Sequence, residues 1–354
     1  MTSNTPLPPT MSAPHTFSNL KRDENLVFFH TDGYLDSQTQ QWVIPIHGWV
    51  YEPERSRLRA GLFESILEEK FDLPITEENR PFFHERVNLL IADNERGKRI
   101  TIELAGQRYT LPKSLPNGHF KGAITIDANI IQTYSHKGFI DFNVIMPTSD
   151  SRQFSGRVRL IEPEGLSIIS DIDDTIKMTG VTNKTSLLSA TFLQPFQAID
   201  GMNSWYQYMA KNLGTTLHFV SSSPWQLYSP LLSLCEENDF PWASFSLKSV
   251  RFRDKTLTNL FKTGLETKPA QISEILEQFP NRKFILVGDS GEQDPEVYAN
   301  IQARYPRQIQ AIYIRNITNE SDNNTRINQL NTQMKTISIQ LFTNPNTLYT
   351  KGIK

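Results

Sequence analysis

One cysteine in 354 residues, Cys235, leaves no internal disulfide and no multi-cysteine zinc site. It follows Leu231, Leu232 and Leu234 on a predicted helix, where a small buried side chain is expected rather than a nucleophile. No apolar run approaches the length that spans a bilayer, and the polar amino terminus has neither the basic nor the apolar segment of a signal peptide. The chain is therefore expected to be cytoplasmic and to reach any lipid by peripheral contact at a membrane. A formal net charge of -2 carries no basic excess, which argues against a nucleic-acid partner. No Gly-rich turn ends in Gly-Lys-Ser or Gly-Lys-Thr, so the phosphate-cradling P-loop is excluded. No histidine follows His218, which removes the usual base from any nucleophile placed later in the chain.

What is present fits two domains. The length exceeds one usual core, and 38% hydrophobic with 21% charged residues is ordinary for a globular protein. Residues 1–25, rich in Ser, Thr and Pro, read as a mobile tail, and Pro6-Leu7-Pro8-Pro9 lacks the flanking Arg or Lys of an SH3 ligand. Residues 26–162 read as a β-rich, sandwich-like domain. One helix (Leu58, Leu62, Phe63, Ile66, Leu67) interrupts predicted strands at 41–49, 87–92, 99–104, 107–111, 120–126, 139–145 and 154–161. Glu162-Pro163-Glu164-Gly165 is the junction. From 163 to 315, strands near Ile168, Thr216, Phe245, Phe284 and Gln310 alternate with helices at 202–211, 225–237, 269–278 and 295–303. That alternation predicts an α/β fold with a mainly parallel sheet. Residues 316–354 read as a polar connection and a short final element.

The chemistry is predicted where these strands end. Leu166, Ile168 and Ile169 lead into Ser-Asp-Ile-Asp-Asp-Thr-Ile-Lys (170–177), which sets Asp171 and Asp173 two residues apart just past a buried strand. Such a cluster calls for a compensating cation or hydrogen bonds, and otherwise reads as an acidic turn that caps the next helix. An EF-hand loop fails on spacing, because its sixth and twelfth positions would be Ile176 and Thr182. Thr216 to Val220 runs into Ser221, Ser222 and Ser223, whose hydroxyls and N–H groups suit a phosphate. Phe284 to Val287 delivers Gly288, Asp289, Ser290, Gly291, Glu292, Gln293 and Asp294. Between these, Lys268 opens a predicted helix, where the dipole disfavours a cation and an anionic neighbour explains it. Arg251 and Arg253 read as a solvated basic face or as contacts to a phosphate or lipid headgroup.

In this order, Asp-x-Asp-x-Thr, Ser, Lys and Gly-Asp-Ser-x-x-x-Asp resemble the four motifs of the haloacid dehalogenase superfamily. Residues 165–181, 221–227 and 284–298 further resemble the catalytic domain of the actin-patch phosphatidate phosphatase family and its bacterial relatives. The resemblance implies a Rossmann-like domain with a minimal cap, preceded here by the sandwich-like domain. It implies a phosphatase that takes phosphatidate to diacylglycerol through an aspartyl-phosphate, with Mg²⁺ as cofactor and a phosphorylated lipid as partner. Asp171 would be the nucleophile and Asp173 the acid and base, while Ser221 and Lys268 hold phosphoryl oxygens. Asp171, Asp173 and Asp289 would form the metal site, with Thr175, Ser222 and Ser223 as substrate contacts and Asp174 and Asp294 in support. A phosphatase of soluble or protein-bound phosphate esters, or a non-catalytic phosphate- or lipid-binding module, is the alternative. A serine-esterase reading of Gly288-Asp289-Ser290 fails for want of a downstream histidine. The sequence singles out no protein partner.

Overall fold

A short apolar run bounded by Pro163 and Gly165 on one side and by aspartates on the other forms strand β10 (Leu166–Ser170), and a parallel sheet is built around it. The structure, a computed structural model, describes residues 17–53, 57–249, 267–319, 325–334 and 337–349. Strand β10 lies between β11 (Thr216–Pro224) and β13 (Lys283–Asp289). The six-stranded order is β12-β11-β10-β13-β14-β15, with β12 at Ala243–Lys248, β14 at Ile309–Arg315 and β15 at Ile339–Phe342. Every pairing in it is parallel. The chain runs outward from β10 through β11 and β12, then returns to β13 on the other flank. The strand order thus reverses at β10, where ligands of open α/β sheets bind.

The helices that follow these strands are α4 (Lys184–Phe192), α5 (Met202–Leu213), α6 (Tyr228–Glu237), α7 (Lys268–Gln278), α8 (Asp294–Arg304) and α9 (Thr325–Gln333). Arg282 secures the start of β10, donating from Nε to Ser167 Oγ at 2.8 Å and from Nη2 to the Leu166 carbonyl at 2.8 Å, with Nη1 on the Glu164 carbonyl. Gly165 has φ 119° and lies against that guanidinium, where a Cβ would meet Nη1 at 3.0 Å. His218 on β11 is buried beside Ser244 Oγ at 3.0 Å, a structural position. Burial pushes the Cys235 thiol up to about 12, so it is inert at neutral pH.

The earlier strands form one mixed, nine-stranded sheet, in which β2 (Thr31–Leu35) and β9 (Ser155–Ile161) pair in parallel and the rest antiparallel. Strand β3 (Gln41–Glu52) pairs over most of its length with β7 (His119–Asp127), and β1 (Asn25–Phe28), β5 (Thr101–Leu104), β6 (Gln107–Thr110) and β8 (Phe139–Val144) complete its faces with the short β4 (Asp93–Asn94). Along the sheet β8 is four places from β1, about 19 Å at ordinary strand spacing. Yet the rings of Phe28 and Phe142 meet edge-on at 4.8 Å. The sheet therefore folds over on itself around one core, which gives it the sandwich-like form. Strands β3 and β7 also bring His47 Nε2 and His119 Nδ1 to 3.0 Å, with Phe29 stacked alongside.

Several expectations need correction. Residues 87–92 are not a strand: α2 (Arg80–Ile91) follows α1 (Arg57–Phe71), and Phe83, Val87, Leu90 and Ile91 fall on one helical face. Both helices belong with the α/β unit, because 57–91 groups with 163–349 while 17–53 groups with 92–162. Their shared core joins Phe63, Leu67, Phe83 and Val87 to Leu188, Phe192 and Leu193. Residues 17–25 are held in place, with Ser18 N–H donating to the Ile145 carbonyl at 2.8 Å and the buried Glu24 paired to Lys98. The polar connection contains α9, the short element expected after it is β15, a strand of the parallel sheet, and a 3-10 turn at Pro345–Tyr349 follows. Pro6–Pro9, Arg251 and Arg253 lie outside the described residues. No helix among the described residues is long and apolar enough to cross a membrane.

Candidate active site

Asp171 is the first residue past β10, and its N–H donates to the Val287 carbonyl of β13 at 2.9 Å, which levels it with the end of that strand. It is 1% exposed. Lys268, at the first position of α7, places Nζ 2.8 Å from Asp171 Oδ1, on Asp294 Oδ1, and 3.4 Å from Glu292 Oε2. The unfavoured cation at a helix start therefore has its anionic neighbours. Burial works against the Lys268 charge, but Asp171, Asp294 and Glu292 outweigh it and hold the ammonium well above its ordinary pKa. For Asp171 burial comes first and raises the carboxyl well above the usual range, with Asp294, Glu292 and Asp289 adding to the rise against Lys268.

Asp289 ends β13, where its Oδ1 accepts from the N–H groups of Gly291 at 2.6 Å and Glu292 at 3.1 Å. Burial, then the neighbouring Asp294, lifts its carboxyl well above the ordinary value. Gly288 is needed here because a Cβ would stand 2.3 Å from Asp294 Oδ2. Ligand oxygens of Asp171, Asp289 and Asp294 lie within 4.8 Å of one another. Oδ2 of Asp171 and Oδ2 of Asp289 are buried without a hydrogen-bond partner among the described residues. Hard oxygen donors, crowded and left unpaired, fit a divalent cation such as Mg²⁺. Asp294 stands in this cluster, and Asp173 does not.

Asp173 instead spends both oxygens on hydrogen bonds. Lys177 Nζ lies 2.7 Å from Oδ1, the Thr179 hydroxyl donates to Oδ1 at 2.9 Å, and the hydroxyls of Ser223 and Ser221 donate to Oδ2 at 2.9 and 3.3 Å. Burial pushes this carboxyl up, but Lys177 with the hydrogen bonds from Lys177, Ser223 and Thr179 outweighs it and holds the pKa below the usual range. Ser221 and Ser223 thus orient Asp173, while Ser222 Oγ and Thr175 Oγ1 are buried with no partner among the described residues. Asp174 adopts φ 51° and turns its carboxylate back to accept from Thr179, Gly180 and Val181 N–H at 2.9, 3.0 and 2.6 Å. It organises the loop over the site and caps no helix. The Ser290 hydroxyl is occupied with the backbone of Ile317 and Thr318, at 2.9 and 3.2 Å.

A small cleft opens beside Asp173, Ser222, Ser223 and Glu292, with Leu187, Thr191 and Phe192 of α4 as one wall. Its volume is about 40 Å³, enough for a few waters. Sequence reasoning missed Lys177, Thr179 and Glu292. Lys177 falls four residues after Asp173 in the signature itself, and that spacing was the available signal.

Residues 166–316 match the family model described as phosphatidate phosphatase APP1, catalytic domain. Phosphatidate phosphatase APP1 of Saccharomyces cerevisiae is 38% identical over 162 residues, 45% of this chain and 27% of that protein. An uncharacterised protein of Schizosaccharomyces pombe is 32% identical over 194 residues, 53% of this chain and 32% of that protein. The chain thus spans about a third or less of the length of these curated relatives. Among solved structures, cytosolic 5′-nucleotidase IIIB bound to cytidine aligns over 53% of this chain and 85% of its own, at 13% identity and a TM-score of 0.31. The resemblance read from the motifs is found again in the family model and the yeast relative.

Proposed function

We propose that the chain is a phosphoric monoester hydrolase that acts on phosphatidate and releases diacylglycerol and phosphate. The observation that carries this reading is a buried carboxylate at a strand end, Asp171, paired to Lys268 with its other oxygen unspent, beside a second carboxylate two residues on. The similarity of residues 166–316 to the catalytic domain of a phosphatidate phosphatase supports the substrate.

In this reading Asp171 attacks phosphorus in line, the bond to the ester oxygen breaks, and an aspartyl-phosphate forms. The leaving oxygen takes its proton from Asp173. The same carboxylate then accepts a proton from water, whose oxygen attacks phosphorus, frees phosphate and restores Asp171. Held ionised by Lys177, Asp173 suits the second step directly, and it must take up a proton as the dianionic phosphate arrives. Lys268 offsets charge on Asp171, and Ser222 and Thr175 offer hydroxyls to phosphoryl oxygens. Mg²⁺, held by Asp171, Asp289 and Asp294, would neutralise the crowded carboxylates and draw charge from the phosphoryl group. The cleft beside Asp173, Ser222 and Ser223 would take only the phosphoryl head, so the acyl chains would stay with the bilayer and the protein would meet its substrate at the membrane surface. The same small cleft reads little of the organic part, which favours soluble or protein-bound phosphate esters as the second reading.

Purified protein assayed against vesicles containing phosphatidate and against soluble phosphate esters, with Mg²⁺ and with chelator, tests both. Mg²⁺-dependent phosphate release from phosphatidate well above the soluble esters is expected. Turnover of soluble esters alone selects the second reading, and turnover of neither rejects the enzyme.

A further inference from the structure

Arg86, on α2, is 3% exposed, and its environment is unusual for a buried cation. Nη1 donates to the carbonyls of Thr191 at 2.9 Å and Gln194 at 2.5 Å, at the end of α4. The guanidinium carbon lies 3.9 Å from the centroid of the Phe196 ring. The carboxylate recorded against it is that of Glu85, 3.9 Å from Nε and half exposed. Burying a guanidinium mainly against carbonyls and a ring costs more than an apolar side chain of similar size would. Its geometry, on the other hand, fixes residues 191–196 as no apolar side chain can.

A second cation shares that ring. Lys177 Nζ lies 4.7 Å from the Phe196 centroid, 2.7 Å from Asp173 Oδ1 and 2.8 Å from Thr179 Oγ1. Thr179, which accepts from Lys177, donates in turn to Asp173. The contacts form an unbroken series from Arg86 through the Phe196 ring to Lys177 and on to Asp173. The aromatic ring attracts both cations, which offsets part of their mutual repulsion. The Phe196 ring is the contact that the two cations share, so withdrawing Arg86 alters the support on that side of Lys177, whose ammonium is otherwise held by Asp173 and Thr179.

We propose that Arg86, acting through Phe196 and Lys177, is a positioning residue for Asp173, so that the helical pair 57–91 takes part in delivering the proton to the leaving group. The proposal rests on the phosphatase reading above, with Asp173 as proton donor.

The test is the dependence on leaving group in the full chain. A donor matters for an alkyl phosphate, whose alkoxide must be protonated, and much less for p-nitrophenyl phosphate. Arg86→Gln is expected to lower kcat on glycerol 3-phosphate by about tenfold or more, with kcat on p-nitrophenyl phosphate within about threefold and KM little changed. Arg86→Lys, which keeps the charge, should recover part of the loss. Phe196→Leu, which keeps bulk and removes the ring, should show the same selective loss and serves where Arg86→Gln fails to fold. Equal losses on both esters, or a change confined to KM, would mean that Arg86 only braces the α4 wall, and the proposal is overturned. No loss on either ester overturns it as well. Asp173→Asn separates the levels. If it is selective and the Arg86 and Phe196 variants are not, the positioning role alone is wrong; if it is not selective, the donor assignment falls and the proposal with it.

Discussion

Charge crowding around Asp171 sets what single substitutions should do. Asp171 and Asp294 share one buried lysine beside Asp289, so Asp171→Asn removes the proposed nucleophile and one charge at nearly constant shape. Turnover should fall by about a thousandfold or more, while the melting temperature measured in chelator rises. Added Mg²⁺ should raise the melting temperature of the natural protein and much less that of the variant, since binding to the folded state stabilises by mass action. A variant that keeps both its activity and the Mg²⁺ shift would reject the assignment. Lys268→Met acts in the opposite direction: it strands the carboxylates and should cost about 3–5 kcal/mol in urea unfolding, besides activity. At this scale the sequence is informative about position where a residue sits at a strand end, as Asp171 and Asp289 do, whereas Ser221, expected against a phosphoryl oxygen, lies within β11 and donates to Asp173. Asp173 shows the limit. Its position was legible, but its partners Lys177, Thr179 and Ser223 are set by how the loop closes, so it was expected on the metal and is found among hydrogen bonds.

Among the elements, the parallel strands were legible because each is a short apolar run between turn signals. The pair α1 and α2 was half legible. Residues 87–92 are a short, mostly apolar run broken only by Asn88, in which strand and buried helix look alike, and only Phe82 and Phe83 before them extend the pattern to helical spacing. The inclusion of this pair in the α/β unit is a tertiary fact that no local pattern carries. It has a testable consequence. Phe83 is fully buried in the core shared with Leu188 and Phe192, so Phe83→Ala should destabilise the α/β unit by about 3–5 kcal/mol in urea unfolding. A chain beginning at Gly165 lacks both helices and uncovers Leu188, Phe192 and Leu193, and gel filtration should find it aggregated. A monomeric, cooperatively folding Gly165 chain would show that the shared core is dispensable.

Across the whole molecule the two units should differ in their response to acid. Burial, then Lys121 and His119, holds the His47 imidazole well below its ordinary value, and burial with Lys121 lowers His119 to about 4. Both rings stay neutral in the fold while the unfolded chain protonates near pH 6.5. Their contribution is therefore complete above that pH and is lost as the pH falls toward about 4, by about 1.4 kcal/mol per unit for each ring. Hydrogen exchange in β3 and β7, corrected for intrinsic rates, should report this slope between pH 6.5 and 4.5, and His119→Gln should reduce it. An unchanged slope in the variant would assign the acid sensitivity elsewhere.

The split of the α/β unit in the sequence also bears on the order in which the protein is made. Phe63, Leu67, Phe83 and Val87 leave the ribosome about a hundred residues before Leu188 and Phe192, which at about 5–20 residues per second is a delay of about 5–20 s. During that interval an apolar helical face waits without its partner, inserted in the chain between β3 and β4 of a sheet whose later strands are also unfinished. Yield on expression should therefore depend on chaperone supply and on translation speed between residues 92 and 188 more than final stability alone would suggest.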